Sequence, residues 1–267
     1  MGSVKAWMGA PRNRAFVRLF LVQASWNYRT MIGGGFLFAL LPLLRGMGET
    51  GREEGGEGPG ANPEGGGHME AVMARHGGHF NSHPFLAGLA LGAVARMERD
   101  GAPPEHIERF KDAVRSPLGS LGDALFWTGW LPLVMFLAAV LLLLGFPPLV
   151  VVMGALLLYN IPHLMVRRVT LDWGLALGSH APARLREVGV AHLIEKVRDV
   201  GMGILGLLVG VLVSVGPGLT VPPRLPWLAA ALALGVVFFR SGPAAGRVAY
   251  RMAPIVLILL FVLGSRL

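Results

Sequence analysis

The 267-residue chain contains no cysteine, which excludes disulfides, thiolate metal ligands and cysteine nucleophiles. Charge is also scarce. Only 15% of the residues are Asp, Glu, Lys or Arg, against about 25% in soluble domains, while 53% are hydrophobic, so an ordinary soluble enzyme is excluded as well. Acidic residues are missing altogether from positions 1 to 48, which carry six Lys/Arg. Residues 49 to 112 hold eleven acids and six bases, and residues 113 to 267 hold twelve bases and five acids, giving the net charge of +8. The bases punctuate apolar runs instead of interleaving with aromatics on a polar face, so anionic lipid headgroups are the expected counter-charge and nucleic acid is not. A phosphate-cradling GxxxxGK[ST], an HExxH and a GxSxG are all lacking, and no nucleophile–base pair stands at useful spacing. No catalytic residue, cofactor or metal is therefore assigned. A cleavable secretory signal is not expected either, because Arg18, Gln23, Asn27 and Arg29 interrupt the first apolar stretch.

What is present is apolar length. Residues 124 to 166 contain no charged side chain and open with Phe126, Trp127 and Trp130. At helical rise this run is roughly 64 Å, about twice a hydrocarbon core, which predicts two crossings with Pro147-Pro148 as the turn. Further uncharged runs at 200–223, 225–239 and 252–265 predict three more, the last two short and dependent on Trp227 as an interfacial anchor and on Arg240 and Arg251 snorkelling. The expected fold is thus an all-α polytopic membrane protein with about five spanning segments. Placing residues 1–123 in the cytoplasm leaves only Arg224 and Arg266 outside, predicting an inner N-terminus and an outer C-terminus.

The expected organisation is a cytoplasmic or interfacial helical region, 1–123, followed by a transmembrane domain, 124–267. Residues 15 to 45 mix apolar and polar side chains around Gly33-Gly34-Gly35, and are expected to form interfacial or re-entrant helices. Residues 46 to 67, rich in Gly, Glu and Pro, read as a flexible linker. Residues 69 to 112 read as short helices separated by Gly77-Gly78, Pro84 and Pro103-Pro104, with an apolar patch from Phe85 to Val94.

Several polar residues in this setting need a reason. His76, His79 and His83 have the spacing of one helix face, beside His68, but Gly77-Gly78 and Pro84 interrupt that helix and no carboxylate stands at ligand spacing. Asp123 precedes the long apolar run, where it is expected to cap a helix and to offer a carboxylate to sugar hydroxyls. Tyr159, Asn160, His163 and Arg167 fall near one face around Pro162. There they predict either helix–helix hydrogen bonds or a surface facing protein instead of lipid.

Four ordered segments then carry a resemblance: Gln23-Ala-Ser-Trp-Asn-Tyr28, Phe80-Asn-Ser-His-Pro-Phe85, Pro117-Leu-Gly-Ser-Leu-Gly-Asp123 with Phe126-Trp127, and Tyr159-Asn-Ile-Pro-His163. Together they resemble the IID membrane component of mannose/fructose/sorbose-type phosphotransferase permeases. The resemblance implies a bacterial inner-membrane subunit that pairs with a IIC membrane subunit to form a sugar-translocating hetero-oligomer. In it, cytoplasmic IIA and IIB proteins carry the phosphate and the IID subunit is not itself phosphorylated. Matched by position, the residues implied at the sugar path or the IIC interface are Trp26, Asn27, His76, Asn81, His83, Pro84, Gly122, Asp123, Trp127, Asn160 and His163. The chain departs from the pattern at Arg29-Thr30, where Glu is usual, at Gly77-Gly78 after His76, at Ser116 to Ser120, and in the order Trp127-Thr-Gly129. Packing tolerates such changes better than hydrogen-bonded recognition does. They leave an alternative: a IID-like regulatory or scaffolding membrane protein that does not translocate sugar.

Overall fold

The computed structural model describes residues 10–53 and 65–215, and apart from two isolated bridges all regular elements among them are helical. They form two compact units. Of the described residues, one comprises those up to Trp127 and 160–193, the other 128–159 and those from Ile194 onward. The division thus falls at Trp127, and residues 160–193 return to the first unit.

The first unit opens with α1 (Ala10–Arg18), which runs into a tight turn at Leu19–Leu21, and continues with α2 (Gly33–Glu53). Both bury one stripe at helical spacing: Ala15 of the first, continued by Leu19 and Val22 in and after the turn, and Phe36, Ala39, Leu40, Leu43 and Leu44 of the second. The triple glycine around which two helices are expected begins the second of them, α2, and the backbone comes too close there for side chains. A Cβ on Gly35 would stand 2.0 Å from the Val22 carbonyl oxygen, and one on Gly33 would stand 1.9 Å from that of Gly78. The expected linker is shortened from both ends, since α2 runs through Glu53 and α3 (Gly65–Gly77) begins before it closes. Residues 54–64 lie outside the described residues.

Helix α4 (Ala87–Arg99) is the centre of this unit, with ten of its thirteen residues buried. It ends in a Schellman motif: Gly101 takes a φ of +70°, its N–H reaches Glu98, and the Ala102 N–H reaches back to Met97. Pro103 and Pro104 then start α5 (Pro104–Gly122), which buries Ile107, Val114, Leu118 and Gly122. The run continues through a wider, π-helical stretch at Asp123–Trp130 into α6 (Leu131–Leu143), forming one 40-residue helical span from Pro104 to Leu143.

The turn expected at Pro147-Pro148 is present and has a clear cause. Gly145, with a φ of +85°, donates to Leu142 while Phe146 reaches back to Leu141, a second Schellman stop, and Pro148 starts the next helix. Helix α7 (Pro148–Leu177) is followed by a short turn at Gly178–His180, α8 (Ala181–Glu187) and α9 (Val190–Val215). Its second half lies against α4 at unusually short range. A Cβ on Gly92 would fall 2.5 Å from the Leu171 carbonyl oxygen, and one on Gly174 would fall 2.4 Å from that of Leu89. Only glycine permits this crossing.

The second unit is apolar and largely uncovered. Val134, Val140 and Val151 are buried, and Trp130 donates its indole N–H to the Leu158 carbonyl at 3.1 Å, whereas Leu149, Val150, Val152, Met153, Leu156 and Leu157 are exposed. Among the described residues two helical spans are long and apolar enough to cross a bilayer, Pro104–Leu143 and Pro148–Glu187. These match the first two expected crossings. Helix α9 reaches Val215, inside the third, and the runs at 225–239 and 252–265 lie outside the described residues.

The glycine crossing yields a stability prediction. Gly92→Val should lower stability by roughly 1–3 kcal/mol or more through overpacking, whereas Gly119→Ala, with nothing within 4 Å of its added methyl, should be neutral or slightly stabilising. Thermal unfolding of the detergent-solubilised protein distinguishes them, and equal melting of both variants would contradict the crossing.

Candidate functional site

Two of the resembling segments are joined by backbone pairing. Asn27 folds its own loop: its side-chain oxygen accepts the N–H groups of Arg29 and Thr30 at 3.0 and 2.9 Å, and its amide donates to the Thr30 hydroxyl at 2.7 Å. Met31 closes the turn in the left-handed region, φ 53°, with its N–H on the Asn27 carbonyl at 2.8 Å. The next residues pair with the second segment, Ile32 N–H to Phe80 O and Phe80 N–H to Thr30 O. Asn81, exposed, stands one residue beyond this pairing, and the loop itself exposes Trp26 and Tyr28 in an edge-on pair 4.8 Å apart. The departure at Thr30 is therefore absorbed, since its hydroxyl completes the Asn27 turn.

The chemistry-bearing side chains converge just beyond, at the start of α4. His83 is 2% exposed and stacks on Phe126, with centroids 5.4 Å apart, while its ring also meets Phe85 and Trp127. It fits there because Gly122 has no side chain, as a Cβ would fall 2.2 Å from that of His83. Phe85 carries the cluster to α7, stacking on His163 at 4.4 Å, and His163 donates its Nε2–H to the Asn160 side-chain oxygen at 2.9 Å. One turn further along the same helix, Arg167 is 4% exposed and has no carboxylate partner among the described residues. It donates to the Leu19 carbonyl and lies over the rings of Phe20 and Phe85, at 4.7 and 5.0 Å.

This setting fixes the state of His83. Burial, reinforced by the Arg167 charge, pushes its pKa down to about 4, so the imidazole is neutral at physiological pH. Its Nδ1 accepts the Phe85 N–H at 3.2 Å, which leaves the proton on Nε2, and that buried N–H meets no hydrogen-bond partner among the described residues. The cluster thus offers a neutral hydrogen-bond donor beside aromatic surface, including the half-exposed Trp127. It suits a polar, uncharged ligand better than an acid–base reaction.

Other expected site residues lie elsewhere. His76 ends α3 and does not share a face with His79 and His83, because that helix stops at Gly77. It is fully buried, 2.7 Å from a Glu98 carboxylate oxygen that also accepts Arg75, while Lys111 donates to the Arg75 carbonyl. Burial holds His76 below its ordinary pKa against the opposing pull of Glu98. Burial alone would raise Glu98, but the His76 and Arg75 hydrogen bonds outweigh it and hold that carboxyl low. Glu98 lies eleven residues along α4 from Ala87, about 17 Å at helical rise, so this network is a strut at the far end of the helix from His83. Asp123 does not cap a helix. The helix continues through it, with its N–H already bonded to the Gly119 and Ser120 carbonyls, so the carboxylate stands exposed one turn before Trp127.

Of the eleven candidates, then, His83, Pro84, Gly122, Trp127, Asn160 and His163 come together; Trp26, Asn27 and Asn81 occupy the paired loops; Asp123 borders the cluster; and His76 stands apart. Sequence reasoning omitted Phe85, Phe126 and Arg167 from the site. Arg167 had a usable signal, its place seven residues after Asn160 and four after His163. Glu98 had none beyond the unmatched pair of bases at Arg75-His76.

Protonation of His83 should be visible in stability. Because its folded pKa lies below the unfolded value, stability is complete above pH 6.5 and falls as pH drops toward 4, by roughly 3 kcal/mol from this residue. His83→Asn keeps an acceptor for the Phe85 N–H but cannot take up a proton. Melting temperatures measured from pH 7 to pH 4.5 should therefore fall more steeply for the wild type than for His83→Asn, and parallel curves would contradict the neutral buried imidazole.

The family described as "PTS system mannose/fructose/sorbose family IID component" matches residues 10–225. The chain is 29% identical over 214 residues to the PTS system mannose-specific EIID component of Escherichia coli K12, covering 78% of this chain and 68% of that one. It is 28% identical over 218 residues to the sorbose-specific EIID component of Klebsiella pneumoniae, covering 78% and 70%. To the fructose permease IID component of Bacillus subtilis strain 168 it is 26% identical over 213 residues, again covering 78% and 70%. Among solved structures its fold is similar to the mannose transporter ManYZ with microcin E492, with a TM-score of 0.54 at 21% identity over 97% of this chain and 96% of that chain. It is likewise similar to a structure titled "Structure of membrane protein", with a TM-score of 0.63 at 21% identity over 96% and 97%. A family match over residues 10–225, which include the His83 cluster and its loops, shows that the chain belongs to the mannose/fructose/sorbose family of IID components of phosphotransferase permeases.

Proposed function

We propose that this IID component pairs with a IIC membrane subunit to form the sugar path, while cytoplasmic IIA and IIB proteins deliver the phosphate through the assembled complex. One observation carries the reading: in the Pro148–Glu187 span only 11% of the most apolar window is buried by the rest of the chain. An uncharged helical face of that length is stable only against lipid or another apolar subunit. The apolar runs support a multi-pass protein of about five spans, the family supports a place in the bacterial inner membrane, and the distribution of Arg and Lys supports an N-terminus inside and a C-terminus outside. Residues 1–123 form its cytoplasmic or interfacial part.

Within this reading the His83 cluster faces the sugar path. A neutral imidazole donor, the aromatic surface of Trp127 and the exposed Asp123 carboxylate form a set that recognises hydroxyl groups on a ring with apolar faces. The paired loops bearing Trp26, Asn27 and Asn81 face the IIC subunit. His76 supports the fold through Glu98. The sugars named for the relatives, mannose, sorbose and fructose, define the substrate class to test.

The test is phosphorylation-coupled uptake of these three sugars in cells that express the chain with its IIC, IIA and IIB partners. Asp123→Asn should lower uptake of the transported sugar by about tenfold, the scale of one lost charge-assisted hydrogen bond, while IIC still co-purifies. Undiminished uptake would remove Asp123 from the path, and loss of IIC would make it structural.

A further inference from the structure

At the opposite end of α4 from His83, the first unit contains a cavity of about 630 Å³. Its polar lining comes from three segments: Arg96 and Asp100 at the end of α4, His106 and Arg109 in the first turns of α5, and Ser179 and His180 in the turn after α7. Its apolar lining is Met97, Ala102, Phe110 and Leu177. The His83 cluster uses none of these residues.

The charge in this cavity is unbalanced. Asp100 is its one carboxylate, and Arg96 already holds it, Nε to Oδ2 at 2.7 Å. Arg96 is fixed further by a hydrogen bond to the Ala176 carbonyl at 3.3 Å, and a Cβ added at Gly178, where φ is +55°, would fall 3.2 Å from its Cγ. Arg109 is anchored at one point only, Nε to the Glu105 carbonyl at 3.2 Å, so the rest of its guanidinium fork has no protein acceptor among the described residues. His106 and His180 add two imidazoles. A guanidinium fork oriented by a single backbone bond, with two imidazoles and a serine hydroxyl on the same rim, matches the donors that a phosphate group requires. The apolar wall gives a carbon skeleton somewhere to lie.

We propose that this cavity binds a phosphate ester, with Arg109 as the principal phosphate ligand, His106 and His180 assisting, and the organic part of the ligand against Phe110 and Leu177. The same chemistry is supplied by a phospholipid headgroup or by a soluble organophosphate. The proposal does not depend on the sugar path, because the cavity and the His83 cluster occupy opposite ends of α4.

The test uses the full chain in nanodiscs. In the first arm the lipid is zwitterionic, and glycerol 3-phosphate is titrated while the melting temperature is followed. In the second the discs contain phosphatidylglycerol, and lipid retained on the protein is counted by native mass spectrometry. A saturable stabilisation by glycerol 3-phosphate, weakened at least tenfold in Arg109→Gln and in His180→Asn, assigns a soluble ester. Retained phosphatidylglycerol that both variants shed, with no response to glycerol 3-phosphate, assigns a lipid headgroup. Failure of both probes to bind, or binding unchanged in both variants, overturns the proposal. Far-UV circular dichroism and unliganded melting of each variant, both at exposed positions, confirm that a lost response is a loss of binding.

Discussion

The structure rests on the contact between α4 and the second half of α7, where the two backbones approach so closely that a side chain cannot be accommodated at Gly92 or Gly174. Close approach has two consequences. It buries almost all of α4, which explains a helix made of alanine, glycine, leucine and valine with scarcely a polar residue before Arg96. It also fixes α7 in register with α4, so that the polar middle of α7, with Asn160, His163 and Arg167, lies beside the His83–Phe85 segment that leads into α4. Gly88 belongs to the same contact, 3.0 Å from the Arg167 carbonyl if it carried a Cβ. The site is thus placed by backbone packing, and its own side chains fill the space that packing leaves.

Buried polar groups are tolerated at the two ends of α4 for different reasons. At the Glu98 end, one carboxylate answers Arg75 and His76, and a backbone carbonyl answers Lys111. At the His83 end no carboxylate pairs with Arg167 among the described residues, and its charge rests on the Leu19 carbonyl and two aromatic faces. An unpaired cation buried in this way costs stability, and it keeps a neighbouring imidazole neutral. Such an arrangement fits a region selected for ligand or partner contact more readily than one selected for stability alone.

The membrane character, the turn at Pro147-Pro148 and the polar segments that form the site could be read from the sequence, because each leaves a local signal: uninterrupted apolar length, paired prolines after glycine, and ordered polar motifs. The glycines were harder. Gly33 to Gly35 and Gly77-Gly78 do mark where helices begin or end, but at Gly33, Gly35 and Gly78 they also mark contacts between segments that sequence spacing does not reveal. Asp123 was misplaced for a related reason. A carboxylate before an apolar run has the form of a cap, yet the preceding helix α5, started at Pro104, simply continues through it. The Glu98 strut was invisible because its partners are 22 and 23 residues away in the chain.

The central claim is that the uncovered apolar face of α7 lies in lipid or against another membrane subunit. The absence of cysteine makes it directly testable, since a single introduced thiol can be read without background. Cysteine placed at Val152 or Leu156, both exposed in the isolated chain, should resist a water-soluble maleimide in intact membranes and react once the membrane is dissolved in denaturing detergent. Rapid labelling at both positions in intact membranes would place that face in water and contradict the account.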